Sequence, residues 1–127
     1  MTSPAHLVAS YLDSVDQGTL GTDLFVSTEP AGPDSTVTLY DTGGQEPEPD
    51  QDLWRPTIQV RVRDKDYLAA YGKQQSIRDT LIGPPGFTQG GYRVLGVFPS
   101  SDVIAIGRDD NDRFRLTLNY RLLIKEV

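Results

Sequence analysis

Few side chains in this sequence could hold a proton, a metal or a nucleophile in a useful arrangement. There is one histidine and no cysteine. His6 falls in the first turn of a helical segment, where a lone imidazole is far more often a surface residue than a catalyst. It can be built into neither a Ser-His-Asp triad nor an H-E-x-x-H site. Without cysteine there is no disulfide framework, thiolate metal site or Cys nucleophile. No phosphate-cradling GxxxxGK[ST] or GxGxxG follows a strand. "GGQ" at Gly43–Gln45 is shared with the hydrolytic loop of translation release factors, which need basic surroundings to hold RNA; here carboxylates flank it. "DDNDRF" at Asp109–Phe114 suggests calcium, but Phe114 and Tyr120 stand where an EF-hand needs Gly and Glu, so a hairpin turn is expected. The 18 acids cluster in loops with no apolar neighbours to raise a carboxyl pKa. The expectation is a protein with no catalytic residue, no cofactor and no metal.

Two charge features remain. Between Asp41 and Asp52 lie five acids (Asp41, Glu46, Glu48, Asp50, Asp52), two glycines, two prolines and no base. Such a segment buries too little apolar area to offset the entropy of ordering itself, so a flexible acidic loop is expected at 41–52. The second feature is a row of cations on two strands: Arg61 and Arg63 on one, and Arg113, Arg115, Arg121 and Lys125 on the other. Exposed strands often carry such residues simply to discourage pairing. The alternative is a basic stripe that meets something acidic. Glu46, Glu48, Asp50 and Asp52 are then the candidate anions, with Arg61, Arg63, Arg113, Arg115 and Arg121 as the candidate cations.

The elements that position these residues follow from periodicity. Ser3 can cap a helix that begins at Pro4 and ends near Gly18, with Leu7, Val8, Tyr11, Leu12 and Val15 on its apolar stripe. Strands are expected at Asp23–Val26 and Thr36–Tyr40, with "EPAGPD" between them as a turn-rich break. Thr57–Arg63 alternates cleanly. A helix from about Asp64 to Ile82 follows, stopped by Gly83-Pro84-Pro85-Gly86. Gln74 lies inside that helix's apolar face, so it must find a buried partner or touch another subunit. Gly91–Pro99, Asp102–Gly107 and Arg113–Lys125 complete the strands; the last has the clearest alternation in the chain. The predicted fold is α+β: a mostly antiparallel sheet of about five strands with two helices packed on one face.

Length suggests a single domain over 1–127. Hydrophobic content of 37% and charged content of 24% suit an ordinary globular domain. No apolar run approaches the roughly 18 residues of a membrane span, and no signal pattern opens the chain, so synthesis in the cytoplasm and no membrane partner are expected. The net charge of −6 opposes tight binding to DNA.

The ordered string of segments resembles the tail-terminator or minor capsid family of long-tailed bacteriophages over nearly its full length. "LVASYLDSVDQGTLGTDLFVSTEPAGPDSTVTLYDTGG" is similar to that family's opening helix, strand and "LYDTGG" segment. "PTIQVRVRDKDYLAAYGKQQSIRDTL" is similar to its strand-then-helix centre, and "GGYRVLGVFPSSDVIAIGRDDNDRFRLTLNYRLLI" to its closing strands. The resemblance implies a virion protein at the head–tail junction. It would be a homo-oligomer forming a hexameric ring that caps the tail tube and receives the head connector, with DNA passing through the lumen unbound. The tail tube protein and a head completion protein would be its partners. Another head–tail connector is the alternative within that class, and a small nucleic-acid-binding regulator is the alternative outside it. No aromatics interleave the basic stripe as a single-strand platform would require.

Overall fold

The computed structural model describes residues 2–48, 53–83 and 85–127. The elements run α1 (Pro4–Ser14), β1 (Leu24–Val26), β2 (Thr36–Glu48), β3 (Leu53–Asp64), α2 (Tyr67–Ile82), β4 (Phe87–Gln89), β5 (Tyr92–Pro99), β6 (Ile104–Arg108) and β7 (Phe114–Glu126). Period-2 alternation sets the centre. β3 and β7 pair antiparallel from Leu53↔Lys125 to Asp64↔Phe114. Ile58, Val60 and Val62 join Leu116, Leu118, Tyr120, Leu122 and Ile124 on one face, all essentially buried. Both helices cover this face: α1 contacts β1, β2, β3 and β4, and α2 contacts β3, β5 and β7. Among the described residues no helix is long and apolar enough to cross a membrane.

The sheet corrects the expected fold. It is a curled, mixed sheet of seven strands, ordered β1-β2-β3-β7-β5-β4 with β6 also on β7, and not a mostly antiparallel sheet of about five. One cause is β1, which pairs parallel to β2 through Leu24↔Val37, Phe25↔Thr38 and Val26↔Leu39. Parallel pairing depends on the return path of the link between the strands, which no local pattern records. The other is β4, three residues long and too short to show a period. Its Phe87 stacks face to face on Tyr11 of α1, ring centroids 3.7 Å apart. β5 and β6 lie end to end along the same side of β7, from Tyr92↔Glu126 to Pro99↔Tyr120 and then from Ile104↔Thr117.

The helices are anchored by polar contacts that their sequences supply. Ser3 caps α1, its Oγ accepting from His6 N. Asp41 on β2 accepts from Ala5 N at 2.9 Å. That places a carboxylate at the positive end of the helix and ties α1 to the sheet. Asp66 caps α2. Gln74 has its buried partner: its Nε2 donates to Val60 O at 2.9 Å and Leu116 O at 3.0 Å, bridging the two central strands from the middle of α2.

The expected loop at 41–52 is the distal part of the β2–β3 hairpin. β2 continues through Thr42 to Glu48 and pairs as far as Gln45↔Arg55 and Glu48↔Leu53, while residues 49–52, with Asp50 and Asp52, lie outside the described residues. Register shifts after Asp41 and after Gln45 bend the hairpin. Gly43 and Gly44 sit at the first bend with φ of +97° and +100°. A Cβ at Gly43 would meet nothing within 4 Å, but one at Gly44 would lie 2.5 Å from the Arg55 carbonyl oxygen. Only glycine lets β2 approach β3 there. We expect Gly43→Ala to lower unfolding free energy by about 1 kcal/mol from backbone strain alone, and Gly44→Ala by more than about 3 kcal/mol. Equal losses in urea denaturation would show that the close approach does not matter.

Candidate functional site

The face of the sheet opposite the helices carries the odd-numbered residues of β3 and β7, among them the predicted cations. It divides into a covered half and an open half.

The covered half exists because β1 and β2 are parallel. The link between them, Ser27–Ser35, swings across the end of β3 and β7 with a cis peptide bond at Gly32–Pro33. Arginines receive it. Arg63, only 2% exposed, donates to Pro30 O at 2.6 Å and Pro33 O at 2.7 Å, and lies 3.5 Å from Glu29. Arg113 donates to Ala31 O at 2.6 Å and, through Nε, to Asp109 at 2.8 Å. Arg115 donates from Nε and Nη2 to one Glu29 oxygen at 3.0 and 2.7 Å. Burial and the neighbouring Arg113 lower the Arg63 pKa, against Glu29. The hydrogen bond to Glu29 leads in raising that of Arg115. At Asp109 burial acts to raise the carboxyl. The N–H groups of Arg113 and Asn111 and the Arg113 guanidinium outweigh it and hold the pKa at about 2. Asp109 also makes the "DDND" segment the hairpin turn expected from sequence, accepting from Asn111 N and Arg113 N.

The open half lies toward the other end of the same strands. There a groove of about 290 Å³ is lined by Gln45, Arg55, Thr57, Phe98, Arg121 and Leu123. Phe98 is 47% exposed. Its ring lies against Gly96, where an added Cβ would come within 2.7 Å of the ring, so the glycine makes room for the aromatic wall. Arg121 and Lys125 are exposed. Ile104 and Ile106 on β6 are also exposed, but beside the Phe114–Thr117 end of β7 and not at the groove.

The structure thus separates the predicted residues. Arg63, Arg113 and Arg115 come together around the link, whereas Arg121 stands apart in the groove. Arg61 lies between, its guanidinium 5.0 Å from the Tyr40 ring centroid and donating from Nη2 to the side-chain Oε1 of Gln59 at 3.5 Å. Gln74 is in the core on the opposite face. Glu46 and Glu48 lie on the distal part of β2. Sequence reasoning missed Glu29, Asp34 and Asp109 as partners of the arginines, and Phe98 as a groove wall. Two acids bracketing two prolines in "EPAGPD" were the available signal, but a turn-rich break explains the same letters. Among the described residues no group of three or more metal-binding side chains converges.

A family model described as bacteriophage tail terminator protein matches residues 11–126, from the middle of α1 to the end of β7. The chain belongs to the bacteriophage tail terminator family. As a member it is a structural protein of the phage head–tail apparatus and a virion component. A chain from the virion of a native gene transfer agent (GTA) particle shares the fold, with a TM-score of 0.69 at 16% identity over 96% of this chain and 94% of that one. A second solved chain shares it with a TM-score of 0.55 at 12% identity, over 98% and 92%. No curated protein matches the sequence.

Two measurements test the covered half. Removing Glu29, 9% exposed, strands the buried Arg63 charge. We expect Glu29→Ala to cost about 3–5 kcal/mol in chemical denaturation, against less than about 0.5 kcal/mol for Arg121→Ala in the open half. Asp109 has a folded pKa below its ordinary 3.8, so its contribution is complete above 3.8 and is lost as pH falls toward about 2. Thermal unfolding followed across that window should decline in the wild type and be flatter in Asp109→Asn. Parallel pH profiles for the two would contradict the assignment.

Proposed function

We propose that this chain is the tail terminator itself: it closes into a hexameric ring that stops and caps the tail tube and presents the surface to which the head attaches. The observation that carries the reading is the family match over residues 11–126, which spans every strand of the sheet. The gene transfer agent virion, a phage-like particle, supports the same setting. No step of this role needs a catalytic group. A net charge of −6 lets DNA pass through a lumen without being held.

Contacts with the neighbouring subunit or adjoining ring draw on Glu46, Glu48, Asp50 and Asp52 as anions. Of the five candidate arginines, Arg63, Arg113 and Arg115 already hold the Ser27–Ser35 link. Arg61 and Arg121 are therefore the ones turned toward a partner. Exposed pairs contribute only about 0–1 kcal/mol each, so they set register more than affinity.

The test is a phage in which the gene is disrupted, complemented or not by the wild-type protein. Without complementation, electron microscopy should find tails of unregulated length and heads without tails. Native mass measurement of the isolated neck from complemented phage should give six copies. Tails of normal length in the uncomplemented phage, or a copy number incompatible with six-fold symmetry, would refute the reading.

A further inference from the structure

Charge is divided unevenly along the chain. Residues 1–54 hold ten acids and no lysine or arginine, whereas 55–127 hold 12 lysines and arginines and eight acids. Folding joins some of the opposite charges, as at Glu29 and Asp34. Two clusters keep like charges together. The first is on the outer face at the Lys125 end of β7, where Arg93 stands directly opposite Lys125 and Phe98 opposite Arg121. Like charges facing each other across a ladder are unfavourable. Among the described residues none of the three cations pairs with a carboxylate; Arg93 donates to Thr88 Oγ1 at 3.3 Å and Pro85 O at 3.2 Å. Leu95 and Phe98, on the same strand as Arg93, are 42% and 47% exposed. The second cluster is the corner where α1 turns into β1, with Asp13, Asp16 and Asp23. Asp13 accepts from Leu20 N and Asp23 from Thr19 N, while Asp16 is exposed. The last turn of α1 has no basic residue, so these acids gather at the negative end of its dipole. Lys73, bonded to the Gln17 carbonyl at 2.6 Å, offsets only part of that charge. Val15, between Asp13 and Asp16, is 39% exposed.

We propose that the Arg93, Arg121 and Lys125 patch of one copy docks the Asp13, Asp16 and Asp23 corner of a second copy. The two surfaces cannot meet within one molecule. Asp23 O accepts from Val37 N, which places the corner beside Val62 and Leu116, toward the Phe114 end of the sheet. From Leu116 to Lys125 the strand runs roughly 30 Å at its usual rise per residue. Complementary patches at opposite ends of one chain make a head-to-tail contact, the kind that closes rings. Each cluster is unfavourable alone, and the contact relieves both: carboxylates reach the facing Arg93 and Lys125, and cations reach the helix end. The apolar residues decide for protein over nucleic acid. Leu95 and Phe98 find an apolar neighbour in Val15, whereas a phosphate backbone offers them none. The inference rests on the ring reading for the number of copies and names the surfaces that such a ring would join.

The experiment is zero-length carbodiimide cross-linking of the concentrated full chain, which joins a lysine amine to a touching carboxylate as an amide. Equal amounts of ¹⁵N-labelled and unlabelled protein are mixed, so that mass spectrometry separates links between copies from links within one. Lys125 should be joined to Asp16 or its neighbours Asp13 and Asp23 in mixed-label pairs, and raised salt should lower the yield. Arg121→Ala should reduce that yield about threefold. Arg108→Ala removes the same charge from an arginine paired with Asp112 outside the patch, and should leave the yield unchanged. Thermal unfolding of both variants checks that the fold is retained. The proposal is overturned if no mixed-label link joins Lys125 to the corner, or if Lys125 couples preferentially to carboxylates elsewhere. Equal losses in the two variants would also overturn it, as diffuse charge attraction. None of these outcomes changes the copy number or the tail lengths on which the ring reading stands.

Discussion

Because β3 and β7 pair in register along almost their whole length, each residue on either strand is committed to one of two faces. One face carries Ile58, Val60, Val62, Leu116, Leu118 and Tyr120 and is closed by the helices, with Gln74 bonded into the ladder's own carbonyls. The other carries arginines. A slip of one residue would exchange the two sets and place guanidinium groups under the helices. The register is thus held from both sides, by apolar burial and by the cost of burying unpaired charge.

That cost shapes the covered half. Arg63 is nearly as buried as the core leucines, and burial alone would make its charge unfavourable. It is tolerated because the link between the parallel strands brings Glu29 and two prolyl carbonyls to it. A buried pair of this kind is weak support for stability in itself, since an apolar pair of the same shape could do as well. What it supplies is specificity. The crossing link must settle where its carbonyls meet Arg63 and Arg113, and that placement fixes the parallel β1–β2 edge.

Much of this was legible in the sequence. The alternation of β7, the Ser3 cap, the need of Gln74 for a partner and the Asp109 hairpin each follow from a rule acting over a few residues. The parallel β1 does not, because its pairing is decided by where Ser27–Ser35 travels in space. β4 was invisible at three residues; only Phe87 hints at it, and its meaning depends on Tyr11 arriving from α1. The acids at 41–48 were read as a loop from composition. Pairing with β3 supplies the backbone hydrogen bonds that composition cannot reveal, and Gly44 supplies the bend. Division of the outer face was beyond local rules too. Arg63, Arg113, Arg115 and Arg121 look alike as letters on alternating strands, and only the path of the link separates three structural arginines from one left open.

If the chain joins the virion as the proposed terminator ring, the weakness of exposed charge contacts is an advantage. A single contact between a carboxylate and Arg121 contributes about 0–1 kcal/mol, too little to join two copies free in solution. In a closed ring each copy both gives and receives the contact, and the last copy to enter makes two at once, so closure is favoured over open intermediates. A finished tube end that holds several copies side by side converts the same weak contacts into intramolecular ones at high effective concentration. On the proposed reading, weak pairs on a rigid sheet would couple ring formation to the presence of the surface being capped. A strongly apolar groove would lack that coupling, since it would associate wherever the protein was concentrated.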